Sequence, residues 1–431
     1  MVRSFSSVLA TVLAVSQITS ALPARSSETS DNTQSTSPST WSLHQVRDVS
    51  TAISGISALA EIYSKYGVLM PEDLKDALDR NQKRATVLIP AFPLGTCGNK
   101  LLVPAKIGIY GRNTFNLIFD TSSGDFWVHS KDTANPQALQ SAYTRKDHFS
   151  STELEGYTWA TEDPNGNTAS GIVYLDTAAV GSLRDVARAI QVARTAPKSF
   201  WDLEAVSGVM GMAFRSRNSI QPYPQANVFD NAVSLLDEGL FTVDMKHCSH
   251  GEVDFGFIDD HGYDGSIGYT DVFDNKGYWN FTSNILGTVD IKNNGKVKVK
   301  AKEDSAEYVI ADTASELLML PMKYNVDYYK KIAGGRYSKT YGGFVFPCAN
   351  QLPNFSFMSG SNLITIPGRY LKHSCVNQES NLCFGGLQPS NNLGLNVLGS
   401  PAFKSAFVVF NPVKNQIGWA RKGLWDEQLS L

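Results

Sequence analysis

The sequence predicts an all-β protein made of two duplicated lobes that face each other across a cleft, and three observations carry that reading. Beyond residue 85 the chain is a succession of short β-branched and aromatic runs broken by Gly, Asn, Asp and Ser, among them FNLIFD, SGIVYLDTAAVG, GEVDFGFID, GGFVFP and FVVFNP. The element Asp-Thr-x-Ser follows an apolar run twice, at residues 120–123 and 312–315. Each copy is followed, after a similar interval, by an apolar-apolar-Gly triplet, Val209-Met210-Gly211 and Val397-Leu398-Gly399. A repeat of this kind governs the fold assignment, because two copies of one supersecondary unit imply two related lobes. Short helices are expected at residues 229–238 and 323–332 of this part of the chain.

The region before residue 85 has a different texture. Residues 1–21 run from Arg3 through an apolar stretch to Ser20 and Ala21, the pattern of a secretory signal peptide. Residues 26–40, SSETSDNTQSTSPST, lack the apolar content to fold and read as a flexible spacer. Helical spacing follows, with Ile53, Ile56, Leu59, Ile62 and Tyr63 on one face and Pro71-Glu72-Asp73 as a second helix start. The stretch closes on Lys83-Arg84, a dibasic pair that is either a processing site or an exposed charged turn.

With 431 residues, 42% hydrophobic and 18% charged, the chain can bury a large core. A formal net charge of -3 provides no basic field for nucleic acid, and the lysines of residues 296–302 read as solvated turns or strand faces. No segment after the signal reaches the ~18 unbroken apolar residues of a membrane span. Five cysteines, Cys97, Cys248, Cys348, Cys375 and Cys383, fit an oxidising compartment but show no metal-ligand spacing. No metal or cofactor is expected. The sequons at Asn280 and Asn354 are candidate glycosylation sites.

The chemistry rests on Asp120 and Asp312. An aspartate at a strand end commonly just caps a turn. Two matched copies related by an approximate two-fold, however, bring two carboxylates to one lobe junction. Such a pair cannot ionise freely, so it holds one proton over an acidic range and can activate a water while protonating a leaving group. The hydroxyls beside each aspartate suit cross-linking of the loops and orientation of the carboxylate oxygens.

These motifs, together with GVMGMAFRSRNSIQP, VDFGFIDDHGYDGSIGYTDV and LGLNVLGSPAFKSAFVVFN, resemble the pepsin family of aspartic peptidases, in particular its secreted fungal aspergillopepsin and penicillopepsin branch. The resemblance spans essentially the whole chain. It implies a bilobal pepsin-like fold, with a signal at 1–21, an inhibitory propeptide at 22–84, an N-terminal lobe at 85–258 and a C-terminal lobe at 259–431. It implies a secreted, monomeric endopeptidase acting on extended peptides at acidic pH. By position, Asp120 and Asp312 match the catalytic dyad and Thr121 and Thr313 the threonines that interlock the loops. Ser123 and Ser315 match the hydroxyls on the outer carboxylate oxygens, Trp127 the tryptophan that supports the flap, and Cys348 and Cys383 a disulfide. The chain departs from the family in Ser122 and Ala314, where the motifs have Gly, in residues 161–168, which lack the flap tyrosine, and in Ser400, where an Asp is usual. A pepsin-fold binding protein or small-molecule acid/base catalyst would share the dyad, and a glycosidase would also use two carboxylates.

Overall fold

The computed structural model of the chain describes residues 40–45, 54–84, 100–108, 113–131, 142–144, 151–162, 168–181, 183–197, 206–273, 276–288, 305–377 and 381–424. The expected signal at 1–21, most of the expected spacer, Ile53, Cys97, residues 163–167 and the lysines of 296–302 lie outside them.

The apolar runs become strands, and the duplicated motif appears as duplicated topology. In an eight-stranded sheet the strand Asn113–Asp120 pairs in parallel with Gly208–Gly211, which pairs antiparallel with Phe126–His129. In a seven-stranded sheet Ala306–Ala311 pairs in parallel with Asn396–Leu398, which pairs antiparallel with Leu318–Leu320. In each half, the strand carrying the distant triplet inserts between the strand entering the aspartate turn and the strand leaving it. This insertion explains the triplet glycines. A Cβ on Gly211 would lie 2.4 Å from the Ser123 carbonyl oxygen, and one on Gly399 would lie 2.4 Å from that of Ser315. Each glycine lets its strand pass against the back of an aspartate turn.

A six-stranded sheet joins the halves, with Phe241–Asp244 paired to Ala406–Asn411 at its centre. The Phe241 and Phe410 rings stack there at 4.7 Å, with Trp279 edge-on to both, so aromatic burial ties the two halves into one core. The edge of this sheet is the strand Trp41–His44, paired with Glu252–Phe255, and Trp41 stacks on Phe255 at 4.5 Å. A four-stranded sheet, Arg336–Ser338, Gly343–Pro347, Leu382–Gly385 and Lys372–Asn377, completes the second half. There the Cys348–Cys383 disulfide closes. Cys248 is also disulfide-bonded, whereas Cys375 is a free thiol.

The helical reading of the N-terminal region resolves into α1, Gly55–Lys65, and α2, Glu72–Arg84. Ser54 caps α1 by accepting from the Ser57 N–H at 3.1 Å. Ile56, Leu59, Ile62 and Tyr63 form its buried face, packed with Leu317, Met319, Val345, Phe384 and Val397. α2 buries Leu74 and Ala77 in the same cluster, and Tyr337 Oη donates to Asp73 Oδ2 at 2.6 Å. The Lys83-Arg84 pair ends α2 in helical backbone. Helices Val228–Ala232 and Met322–Tyr329 occupy the other two expected positions.

Candidate active site

Asp120 ends one strand and Asp312 follows another, and both are buried, at 5% and 0% exposure. Threonines brace the turns reciprocally. Thr121 N–H donates to Thr313 Oγ1 at 3.2 Å, and Thr313 N–H donates to Thr121 Oγ1 at 3.1 Å. Each hydroxyl then donates across the junction, Thr121 to the Ala311 carbonyl at 2.9 Å and Thr313 to the Phe119 carbonyl at 2.6 Å. All four groups are buried, so losing any one strands a partner without solvent. The result is a rigid two-fold link directly behind the carboxylates.

The carboxylates are held differently. Asp312 Oδ1 accepts from the N–H groups of Ala314 at 3.0 Å and Ser315 at 3.2 Å, and its Oδ2 accepts from Ser315 Oγ at 2.5 Å. Asp120 Oδ1 accepts from Ser122 N–H at 2.8 Å and from Ser122 Oγ at 2.9 Å. Here the sequence expectation needs correction. Ser123, matched to the outer oxygen of Asp120, instead accepts the Asp125 N–H on its hydroxyl at 3.1 Å. The physical reason is the side chain that replaces glycine: Ser122 carries a hydroxyl within reach of Oδ1 and takes over the orienting bond. Neither replacement strains the backbone, because the non-glycine residues with positive φ are Cys248, Asn381 and Asn415 among the described residues. The Ala314 methyl joins the apolar cluster of Leu102, Ile118, Trp127 and Trp159. Ser400, replacing the usual Asp, is fully buried, and its N–H donates to the Ser315 carbonyl at 2.7 Å.

Trp127 lies on the strand Phe126–His129 and stacks on Trp159 at 6.0 Å. Trp159 belongs to Thr152–Glu162, which pairs antiparallel with Thr168–Val180, in register with Gly171. Both tryptophans are buried.

The sequence reading did not single out Lys65, the last residue of α1. Its Nζ donates to Asp120 Oδ1 at 3.0 Å and to Asp312 Oδ1 and Oδ2 at 2.7 and 2.9 Å. Tyr66 Oη adds a bond to Asp312 Oδ2 at 2.8 Å. Burial would raise the Asp312 pKa, but the Lys65 charge, with hydrogen bonds from Lys65, Ser315 and Tyr66, outweighs it and holds the carboxyl below its ordinary range. Burial would likewise neutralise Lys65, and the two aspartates reverse this and raise its pKa. The only sequence signal was a lysine closing an amphipathic helix, which the helix dipole alone would explain.

Residues 104–422 match the model of the eukaryotic aspartyl protease family. The chain is 36% identical to endothiapepsin of Cryphonectria parasitica over 391 residues, covering 89% of this chain and 91% of that protein. It is 38% identical to penicillopepsin-1 of Penicillium rubens over 320 residues, covering 74% and 77%, and 33% identical to aspergillopepsin-1 of Aspergillus clavatus over 419 residues, covering 96% and 98%. Its fold superposes on the aspartic proteinase from Irpex lacteus with a TM-score of 0.59 at 18% identity, covering 75% of this chain and 95% of that one. The chain belongs to the eukaryotic aspartyl protease family, with the bilobal pepsin-like fold and the aspartic-type peptidase class that go with it.

Proposed function

We propose that this protein is a secreted aspartic endopeptidase made as a zymogen, with Asp120 and Asp312 as its dyad. The carrying observation is the junction itself: two buried aspartates on twin turns, cross-linked by Thr121 and Thr313, with both carboxylates bound by one ammonium from the N-terminal segment. Two carboxylates placed this way share a proton, pepsin-type dyads being the standard case of the effect. In the active enzyme one carboxylate takes a proton from a bound water as it attacks the peptide carbonyl. The proton held by the dyad then passes through the tetrahedral intermediate to the leaving nitrogen. Ser122 and Ser315 fix the carboxylate rotamers, and the threonine link keeps them at working separation. The substrate would lie extended in the cleft between the lobes.

Residues 22–84 act in this reading as the propeptide. Lys65 occupies the position of the catalytic water and Tyr66 covers it, while α1 and the strand Trp41–His44 dock the segment on both halves. Asn354 is exposed and Asn280 half-buried, so Asn354 is the more accessible candidate for glycan attachment. The test is to secrete the full chain and assay it against an acid-unfolded protein, with and without prior exposure to about pH 3. The reading expects little turnover before acid, turnover at about pH 3 to 6 afterwards, and loss of residues 22–84 by N-terminal sequencing. A folded, shortened product that cleaves nothing would overturn it.

A further inference from the structure

Beside the dyad lies a second ionic cluster that the mechanism leaves unused. Lys100 is 5% exposed in this fold, just before the strand Leu102–Ile107 of the first half. Its Nζ donates to Glu61 Oε2 of α1 at 2.8 Å and lies 3.7 Å from Glu316 Oε1 of the second half. Glu316, four residues beyond Asp312 and 2% exposed, has its other oxygen 3.0 Å from His373 Nε2. Burial would favour the neutral amine, but Glu61 and Glu316, with Asp120 further off, overcome it and raise the Lys100 pKa.

The N-terminal segment supplies what covers Lys100. Glu61 caps its ammonium, and Gln45 Nε2 donates to its carbonyl at 3.3 Å. When that segment leaves, Lys100 loses its shortest ionic contact. Glu316 stands at the longer distance and is shared with His373, so two basic side chains divide one carboxylate. A buried ammonium left with only that shared carboxylate favours whatever anion can replace Glu61.

We propose that Lys100 is a specificity-determining residue, forming with Glu316 and His373 a subsite for an acidic substrate side chain whose place Glu61 fills before activation. The proposal rests on the zymogen peptidase reading above. Glu61 lies one helical turn, about 6 Å, from Lys65 at the dyad. An extended peptide covers that distance in roughly two residues, so the acidic side chain sits about two to three positions from the scissile bond.

The experiment uses the acid-converted enzyme and one cleavable peptide, with Glu, Gln or Lys substituted singly at each of four positions on either side of the bond. It is run at about pH 5, where a peptide Glu is ionised. Wild type is expected to prefer Glu over Gln by roughly tenfold in kcat/KM at a single position, the size of one charged hydrogen bond. Lys100→Met is expected to bring the Glu/Gln ratio to about one, and Lys100→Arg to retain the preference. Glu316→Gln removes the competing carboxylate and is expected to strengthen it. If Lys100→Met does not fold, the wild-type Glu preference, its decline with added salt and its retention in Lys100→Arg decide the matter. Equal turnover of Glu and Gln peptides at every position, or a preference that survives Lys100→Met, overturns the subsite and leaves the peptidase reading standing. No cleavage of any peptide, neutral ones included, overturns the peptidase reading and the subsite with it.

Discussion

The turn at Asp120 and the turn at Asp312 are copies of one device that have kept one half of it and changed the other. Behind the carboxylates the copies agree almost atom for atom, each threonine accepting from its counterpart's N–H and donating to the carbonyl before the opposite aspartate. In front they differ. Asp312 has a dedicated serine, Ser315, on Oδ2, while Asp120 receives both of its turn bonds on Oδ1 from Ser122. In the link between lobes the threonine hydroxyls and N–H groups are buried and paired, so a substitution there costs stability. The third motif position is freer: a small side chain there can turn toward its aspartate, as Ser122 does, or pack outward, as Ala314 does.

The N-terminal segment engages both turns but binds Asp312 more, and removing its lysine should have the largest effect. Lys65→Met leaves two buried carboxylates facing an apolar group, at a cost of about 3 kcal/mol or more. The segment released in trans should then inhibit roughly a hundredfold less well. The pH dependence has a definite sign. The contact depresses the Asp312 pKa, so its contribution is complete above the ordinary aspartate value of about 3.9 and is lost as pH falls through the lowered one. Conversion of the wild type should therefore accelerate below about pH 4, and that of Lys65→Met should depend less on pH. Conversion that is equally steep in both would remove Lys65 from the trigger.

The agreement behind the carboxylates is tested by Thr121→Val and Thr313→Val. Each leaves a buried N–H without its acceptor, and each should lose about 1–3 kcal/mol in denaturant unfolding, by similar amounts. A neutral result at one site would show that the link is not symmetric. The smallest effects separate the fronts. A hydroxyl donating to a carboxylate favours the charged form, so Ser315→Ala should move the acid limb of the kcat/KM profile to higher pH. Ser122→Gly, which keeps the N–H bond to Asp120, should move it less, and Ser123→Ala should not move it. A shift in Ser123→Ala larger than that in Ser122→Gly would restore Ser123 to the position first expected of it.

Much of this was legible in the sequence because it is local. Strand texture, the paired Asp-Thr-x-Ser turns and the triplet glycines are all encoded within a few residues, and the repeat made the lobes visible. The Ser122-for-Ser123 exchange was not legible, since adjacent serines differ only in which way the turn points them. Lys65 and Glu61 were hidden for another reason: they look like ordinary charges on an amphipathic helix and gain meaning only through partners far away in sequence. The pairing of Trp41–His44 at a sheet edge was missed for the same reason, a short strand beside a Ser/Thr-rich spacer having no local partner.

The most direct test of the central claim, that the two turns form one catalytic site, is turnover of an unfolded protein by mature Asp120→Asn and mature Asp312→Asn at about pH 3 to 6. The account predicts that each substitution alone lowers kcat at least about a thousandfold, with folding intact by denaturant titration, because neither carboxylate can work without the other. Substantial activity remaining in either variant would contradict it.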